Sequence, residues 1–148
     1  MVPLPGGPYD RRVTRIDDGP LTGAVVHADG PVPAGLLEAL AAYEQALMGD
    51  DVAAMDALFA PGPATVRGDP SGLVVGHQQI HDFRVGRGGA PPRRVVDVHV
   101  QRLGPDAAVV VAVTARLQGG QGLQTQVWRR SDVHPGPAGW AVVAAHVS

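Results

Sequence analysis

The chain has 148 residues, 45% of them hydrophobic and 18% charged, which suits a single soluble globular domain with a hydrophobic core. Its net charge of −2 and pI near 6.3 do not favour nucleic acid or an anionic membrane surface as a partner, and we predict neither. The absence of cysteine excludes disulfides, thiolate metal ligands and cysteine nucleophiles, and it is consistent with the cytoplasmic location that we predict.

The N-terminal part of the chain differs in composition from the rest. Residues 1–34 are rich in proline and glycine and show no sustained periodicity, so we predict a loosely ordered arm. One run within it, residues 23–27, is open to three interpretations: a strand, a segment that packs against the domain, or an artefact of a start codon chosen too far upstream. Residues 35–148 are predicted to form one domain.

Two helices are predicted at the start of this domain. The first begins near Gly35, and its apolar residues recur at four-three-four spacing, which places them on one face. These residues are Leu36, Leu40, Tyr43 and Leu47. Asp50 or Asp51 then accepts the first free N–H groups of a second helix, which ends at the proline-rich turn of residues 61–63.

The remaining elements are short strands, a third helix and then long strands. Residues 65–67 and 73–75 are β-prone, and residues 76–84 indicate a short helix. Long strands are predicted at residues 93–103, 107–117, 123–130 and 140–147. Their longest apolar run is far shorter than the roughly 20 residues that span a bilayer. This order predicts an α+β fold in which helices cover one face of a mainly antiparallel sheet.

Polar side chains follow the last two strands. Because alternate residues of a strand share a face, Gln124, Gln126 and Trp128 are predicted to point the same way. By the same alternation, the face of Trp140 in the last strand also carries His146. Amides and an imidazole on one curved sheet face suit a small polar ligand.

Taken in chain order, the motifs resemble a known family. A tyrosine-bearing first helix and Asp50-Asp51 come first, and the later matching motifs are Leu58-Phe59, Thr65-Val66-Arg67, Gly76…Ile80…Phe83-Arg84, Gln124-Thr125-Gln126-Val127-Trp128 and Gly139-Trp140…His146-Val147-Ser148. Over roughly residues 35–148 this set resembles the AtzH-like proteins of the SnoaL-like, nuclear transport factor 2-like superfamily. The resemblance implies a cone-shaped α+β fold, with three helices packed on a strongly curved, mainly antiparallel sheet and a pocket at its open end.

The resemblance also implies a function and partners. AtzH-like proteins accompany amidases in ureide, oxalurate or triazine breakdown, and a member acts as a decarboxylating amidohydrolase on a carboxylated urea. For this chain the resemblance implies a small carboxylated metabolite as substrate, a homodimer formed through sheet faces and an amidase as a partner. It implies no metal and no organic cofactor. The family's helix-one tyrosine and the arginine of its Val-Arg motif correspond to Tyr43 and Arg67, which are the predicted catalytic residues.

Each candidate has a structural interpretation beside the functional one. Arg67 either binds a substrate carboxylate bidentately, or pairs with Asp69 or with solvent. Tyr43 either projects its hydroxyl into the pocket or is a core tyrosine. Arg84 is preferred over Arg87 as a second carboxylate ligand, because the family carries arginine at that position.

Gln124, Gln126 and His146 complete the predicted substrate-binding residues. The amides would bind the urea carbonyl and amines, and His146 would position a water or polarise a carbonyl. The alternative for His146 is a hydrogen-bonded core histidine, which is commoner in an apolar strand. Leu123 stands where family members often carry arginine, and this loss of charge favours a less anionic substrate.

Other functions are less well supported. His77 and His81 have the spacing of metal ligands on a helix, but no third ligand is evident and a solvent-facing pair is the simpler interpretation. Nucleophile-elbow, dinucleotide-binding and P-loop motifs are absent. The main alternative is a non-catalytic dimer that binds a polar metabolite or serves as an accessory subunit of an amidase. An isomerase- or dehydratase-like activity ranks last, because no pocket carboxylate for proton abstraction is predicted.

Overall fold

The structure, a computed structural model, describes residues 12–148, and within them three helices and eight strands form the regular structure. The helices are α1 (Leu36–Met48), α2 (Val52–Leu58) and α3 (His77–Arg87). The strands are β1 (Arg12–Arg15), β2 (Val25–Ala28), β3 (Val66–Asp69), β4 (Gly72–Val75), β5 (Arg93–Arg102), β6 (Ala107–Arg116), β7 (Gln121–Arg130) and β8 (Trp140–Val147). The α+β class and the order of the predicted helices and strands are confirmed.

Local sequence signals explain where the helices begin and end. Gly35 precedes α1 with a φ of 82°, a left-handed conformation that glycine adopts without steric cost. The Asp51 carboxylate accepts a hydrogen bond from the Ala54 N–H at 3.0 Å, so Asp51 rather than Asp50 caps α2. Helix α3 ends at Gly88, which is also left-handed.

All eight strands belong to one sheet, in the order β1-β2-β5-β6-β7-β8-β3-β4. The β2–β5 and β3–β8 pairs are parallel and the others antiparallel. The prediction of a loosely ordered arm is wrong for residues 12–34, because β2 pairs with β5 and β1 pairs with β2. For residues 23–27 the strand interpretation holds in part, and residues 1–11 lie outside the described part of the chain.

Two bulges change which face of the sheet some residues occupy. Val96 in β5 and Val143 in β8 each lack a partner in the neighbouring strand. An extra residue of this kind bends the strand and inverts the alternation of side chains beyond it. In β5 the buried residues are therefore Val95, Val98 and Val100, with Val96 only half-buried, and in β8 the residues after Val143 exchange faces.

The helices cover the inner face of this sheet and form the core with it. Its largest fully buried side chains include Trp128, Trp140, Phe59, Leu36, Leu40, Met55 and Ile80. The Trp140 indole N–H donates to the Ala34 carbonyl oxygen at 2.8 Å, which ties β8 to the start of α1. Among residues 12–148, no helix has both the length and the apolar composition needed to cross a membrane.

Candidate functional site

A cavity of about 260 Å³ lies where α1, the end of α3 and five strands meet. Leu47, Ala90 and Val147 contribute apolar walls. The polar residues that line it are Tyr43, Arg67, Asp69, Arg87, Arg93, Thr114, Arg116, Gln124 and Ser148. A concave site with apolar walls and a few convergent polar groups is typical of small-molecule binding, and its volume suits a molecule smaller than a drug.

Arginine dominates the polar lining of this cavity. The sequence has no lysine, so all 12 Lys and Arg positions are arginine, and four of them line the cavity. Arg93 and Arg116 lie directly opposite each other on β5 and β6, which brings both side chains to the same end of the sheet. Because a guanidinium is always charged and matches a carboxylate in shape, the lining favours small anions.

Arg67 reaches the cavity from β3 and is already paired. Its side chain is 7% exposed, and Nη1 donates to the Asp69 Oδ2 at 2.7 Å. The guanidinium carbon lies 4.3 Å from the centroid of the Phe83 ring, a cation–π arrangement that holds it in place. The pairing with Asp69 is therefore confirmed, and because Arg67 also lines the cavity, its binding of a substrate carboxylate stays a prediction.

Asp69 places a carboxylate in the cavity wall, so the expectation of no pocket carboxylate is wrong. It also accepts hydrogen bonds from the Ser71 backbone N–H, at 2.8 Å, and from the Ser71 hydroxyl. The Arg67 hydrogen bond, followed by that of Ser71, holds the pKa of Asp69 well below its usual range. So acidic a carboxylate is a poor base for proton abstraction, and the low rank of an isomerase-like activity is unchanged.

Arg93 is held by Glu44 of α1 through two hydrogen bonds. Its Nε donates to Glu44 Oε2 at 3.0 Å, and its Nη2 donates to Glu44 Oε1 at 2.6 Å. Glu44 is only 2% exposed, so this is a buried pair whose charges compensate each other. Arg93 Nη2 also donates to Gln124 Oε1 at 2.9 Å. With its oxygen engaged, Gln124 is left with its N–H donors for a ligand in the cavity.

Arg87, at the end of α3, is half-buried and has no ion pair within residues 12–148. Its Nε is buried and lacks a hydrogen-bond partner among the described residues. Burial, and after it the neighbouring Arg67 charge, lowers the pKa of Arg87. The Asp50 carboxylate acts in the opposite direction, and an anion in the cavity would add to its effect.

Arg116 differs from the other cavity arginines because it is exposed to solvent. Its closest polar contact is a long one, 3.5 Å from Nη1 to the Gln121 carbonyl oxygen. Beside it the wall is tightly packed: a side chain at Gly122 would place its Cβ 2.8 Å from the Thr114 hydroxyl oxygen. Arg116 therefore lies at the mouth of the cavity, where water screens its charge.

Tyr43 lies on α1 and contributes both to the core and to the cavity wall. Its ring packs against Phe59, with 6.0 Å between ring centroids, and the residue is 5% exposed. Within residues 12–148 its hydroxyl makes no hydrogen bond, and Tyr43 lines the cavity together with Arg67 and Arg87. The phenol is thus available to a ligand.

The structure reverses the predicted order of Arg84 and Arg87. Arg84 does not line the cavity: it is 2% exposed, donates from Nη1 to Asp56 Oδ1 at 2.9 Å and lies 4.2 Å from the centroid of the Phe59 ring. Burial is the main cause of its lowered pKa. Arg84 packs between α2 and α3, whereas Arg87, one helical turn later, reaches the cavity.

Two of the other predicted binding residues also lie elsewhere. Gln126 points inward but is not part of the cavity wall; its Oε1 accepts a hydrogen bond from the Trp128 indole N–H at 3.1 Å. The prediction that His146 shares the face of Trp140 is wrong, because the bulge at Val143 turns His146 to the exposed outer face. Of the predicted residues, Tyr43, Arg67 and Gln124 are brought together at the cavity.

The histidines of α3 bind the preceding helix. His77 Nε2 lies 2.8 Å from the Asp56 backbone oxygen, and His81 Nδ1 lies 2.6 Å from the Asp56 carboxylate. In the described part of the chain, no group of three or more His, Asp or Glu side chains is placed to hold a metal ion. Leu123 also lies outside the cavity, on the outer face of β7. The presence of leucine where family members often carry arginine therefore does not change the charge of the cavity.

Sequence reasoning missed Arg93, Arg116, Thr114 and Asp69 as cavity residues. Thr114 is the one polar residue within the apolar run of β6, which was a usable signal for an inward polar position. The pairing of Arg93 with Arg116 depends on strand register, which the composition of the strands does not fix.

The fold and the cavity together define an α+β protein in which three helices and a mainly antiparallel sheet enclose a small arginine-lined site. The family model described as AtzH-like matches residues 27–148, and the chain therefore belongs to the AtzH-like family. A search of curated proteins finds no match.

Solved structures agree with this assignment. A protein of unknown function from the DUF3225 family of Pectobacterium atrosepticum SCRI1043 is 35% identical, with a TM-score of 0.69 over 78% of this chain and 88% of that one. A cystatin-like fold protein from Burkholderia xenovorans LB400 is 33% identical, with a TM-score of 0.70 and the same coverage of 78% and 88%. A nuclear transport factor 2-like superfamily protein from Salmonella enterica serovar Typhimurium LT2 shares the fold at 24% identity and a TM-score of 0.59, over 75% and 85%.

Proposed function

We propose that the cavity binds a small carboxylated urea or ureide and that the protein hydrolyses its C–N bond without a cofactor. The cluster of four arginines around a cavity of about 260 Å³ is the observation that carries this proposal. Guanidinium groups bind planar carboxylates through charge-assisted hydrogen bonds, and a small cavity excludes larger anions. Membership of the AtzH-like family supports the choice of a carboxylated urea.

Tyr43 and Arg67 are the proposed catalytic residues. The Tyr43 hydroxyl would donate a hydrogen bond to the scissile carbonyl or a proton to the departing nitrogen. Arg67 uses Nη1 for Asp69 and keeps further N–H donors for the ligand. Gln124, with its oxygen bound to Arg93, would donate to the urea carbonyl oxygen.

The chemistry balances with water as the only co-reactant. Water adds across the urea C–N bond, that bond breaks, and the departing nitrogen leaves as ammonia. With an N-carboxyurea, the N-carboxycarbamate that remains takes up two protons from water, loses two molecules of carbon dioxide in turn and releases its nitrogen as a second ammonia. Donors aimed at the carbonyl oxygen stabilise the negative charge that develops on it during water attack.

Incubation of the purified protein alone with N-carboxyureas tests this function, with ammonia and carbon dioxide release as the readout. Arg67→Lys should lose most of the activity, because lysine keeps the charge but not the planar fork. Tyr43→Phe should lower the rate of hydrolysis by about 10²-fold or more, because the variant lacks the hydroxyl that transfers the proton. Full activity in both Arg67→Ala and Tyr43→Phe would contradict the assignment.

A second candidate function is a non-catalytic dimer that binds a polar metabolite, or an accessory subunit of an amidase. The strongly acidic character of Asp69 favours this candidate, because the carboxylate nearest to Arg67 is a weak base for activating water. Binding of a carboxylated urea without product release would select it, and co-purification with an amidase would identify the accessory role.

We also propose that the protein is a homodimer formed through the outer face of the sheet. That face carries half-buried valines on the two central strands, namely Val109, Val111, Val113 and Val127. A contiguous apolar face in contact with water is typical of a protein interface, and a second copy of the same face would cover it.

A further inference from the structure

The charges around the cavity are not equivalent, and most of them are already compensated. Asp69 neutralises Arg67 at 2.7 Å, and Glu44 neutralises Arg93 through two hydrogen bonds. Arg116 is exposed, so solvent screens it. Arg87 remains as a half-buried cation without an ion pair in the part of the chain that the structure describes.

Arg87 also has an unused donor. Its Nε is buried and makes no hydrogen bond within residues 12–148, whereas a buried N–H normally has a partner. The Phe83 ring, 5.2 Å from the Arg87 guanidinium carbon, limits where that group can move. Because Arg87 lines the cavity, an incoming carboxylate can pair with its guanidinium there and compensate its charge.

Asp69 imposes a second requirement on the ligand. Its oxygens accept from Arg67, from the Ser71 N–H and from the Ser71 hydroxyl, which uses three of about four acceptor positions of a carboxylate. The remaining position can accept one N–H or O–H from a ligand. A second ligand carboxylate beside Asp69 would instead meet a fixed negative charge.

We propose that Arg87 is the main carboxylate-binding residue of the cavity and that Asp69 selects ligands with a single carboxylate next to an N–H donor. This inference rests on the proposed function and narrows its substrate class to monoanionic ureido or carboxamido acids. The inference gives the two arginines different roles: Arg87 binds the carboxylate, and Arg67 together with Asp69 recognises the neighbouring amide.

Oxamate and oxalate form a matched pair of probes, because they differ mainly in an amide in place of the second carboxylate. Calorimetric titration of the purified protein should give oxamate an affinity about tenfold or more above that of oxalate. Asp69→Asn should reduce the ratio of the two affinities to about one. Arg87→Gln should lower the affinity for oxamate by about tenfold or more. Arg102→Gln, which changes an exposed arginine outside the cavity, should leave the affinity for oxamate unchanged.

Equal affinity of the two probes for the unaltered protein would overturn the inference, as would the absence of oxamate binding. These readouts on the unaltered chain do not depend on whether Asp69→Asn folds. They are also independent of catalysis: absence of ammonia release from N-carboxyureas contradicts the hydrolase, while the preference for oxamate over oxalate decides the ligand class by itself.

Discussion

At the scale of single residues, two ion pairs determine how much positive charge the cavity offers to a ligand. The Arg67–Asp69 pair lies in the wall. In the second pair Arg93 lines the wall and Glu44 lies behind it, and both side chains are almost fully buried. Each pair fixes a guanidinium in position and removes its net charge. The cavity can therefore hold four arginines without the repulsion that four uncompensated charges would cause.

The Arg67–Asp69 pair makes stability depend on pH in a defined direction. Because the pKa of Asp69 is lowered in the folded protein, its contribution is fully present above the ordinary carboxyl value of 3.8 and is lost as pH falls below that value. Asp69→Asn should thus lower the free energy of unfolding more at about pH 7 than at about pH 3 in urea titrations. Asp132→Asn, at an exposed position, serves as the control; an equal pH effect in both variants would refute the linkage.

Of the two acidic residues of α1, Glu44 should contribute more than Glu38 to the free energy of unfolding. Glu44→Ala leaves the buried Arg93 without its partner, and we expect it to lower the free energy of unfolding by about 3–5 kcal/mol. Glu38→Ala, at an exposed position of the same helix, should change it by no more than about 0.5 kcal/mol. Chemical denaturation of the two variants side by side is the measurement, and similar values for both would contradict the buried pair.

The sequence allowed some of these residues to be predicted and not others. Tyr43 and Arg67 belong to motifs that the family resemblance identifies, and both lie at the cavity. Arg84 and Arg87 are one helical turn apart, so periodicity alone could not decide which of them the packing of α2 on α3 would bury. Glu44 follows Tyr43 directly, and its burial arises only because Arg93 approaches from a distant strand.

At the scale of elements, the bulge in β8 decides which side chains face the cavity. Up to Val142 the strand follows the predicted alternation, and beyond the unpaired Val143 the faces are exchanged, so that Val147 rather than His146 faces the cavity. Alternation of apolar and polar residues predicts the existence of a strand well, but an apolar run such as residues 141–145 contains no signal that marks one residue as unpaired.

A pair of substitutions in adjacent strands tests this inversion. Gln124→Ala should weaken oxamate binding about tenfold, because Gln124 lines the cavity with free N–H donors. His146→Ala should leave binding unchanged, because His146 lies on the outer face. Titration calorimetry of both variants checks the prediction, and a loss of binding in His146→Ala would place that histidine in the site.

At the scale of the whole molecule, one row of paired residues crosses all eight strands on the outer face. It runs through Val13, His27, His99, Val111, Thr125, His146, Gly68 and Leu73. Val111 lies near the middle of the row, among the half-buried valines of β6. It is therefore the position at which a charge would most disturb the proposed dimer.

Val111→Arg should convert a dimer to a monomer. Light scattering coupled to gel filtration should show the mass fall from twice the chain mass to the chain mass of 15.3 kDa. Val85→Arg, at an exposed valine of α3 that is not part of the sheet, is the matched control and should remain dimeric. A monomeric unaltered protein would contradict the dimer itself.

The fold as a whole was largely predictable, because long strands with clear turns and helices with clear stripes specify the α+β class. The edge formed by β1 and β2 was not. These strands have four residues each: β2 is stabilised by pairing with β5, about seventy positions away along the chain, and β1 is stabilised by pairing with β2. Local composition therefore suggested a loose arm where the structure has two strands.

The central claim is that the arginine-lined cavity is where a small carboxylate binds. Proton–nitrogen correlation NMR of the arginine Nε–H groups, recorded during addition of oxamate, tests it most directly. We expect saturable shifts at Arg87 and at its cavity neighbours Arg67 and Arg93, with Arg102 and Arg130 unchanged. Shifts confined to arginines outside the cavity, or no shifts at any arginine, would contradict it.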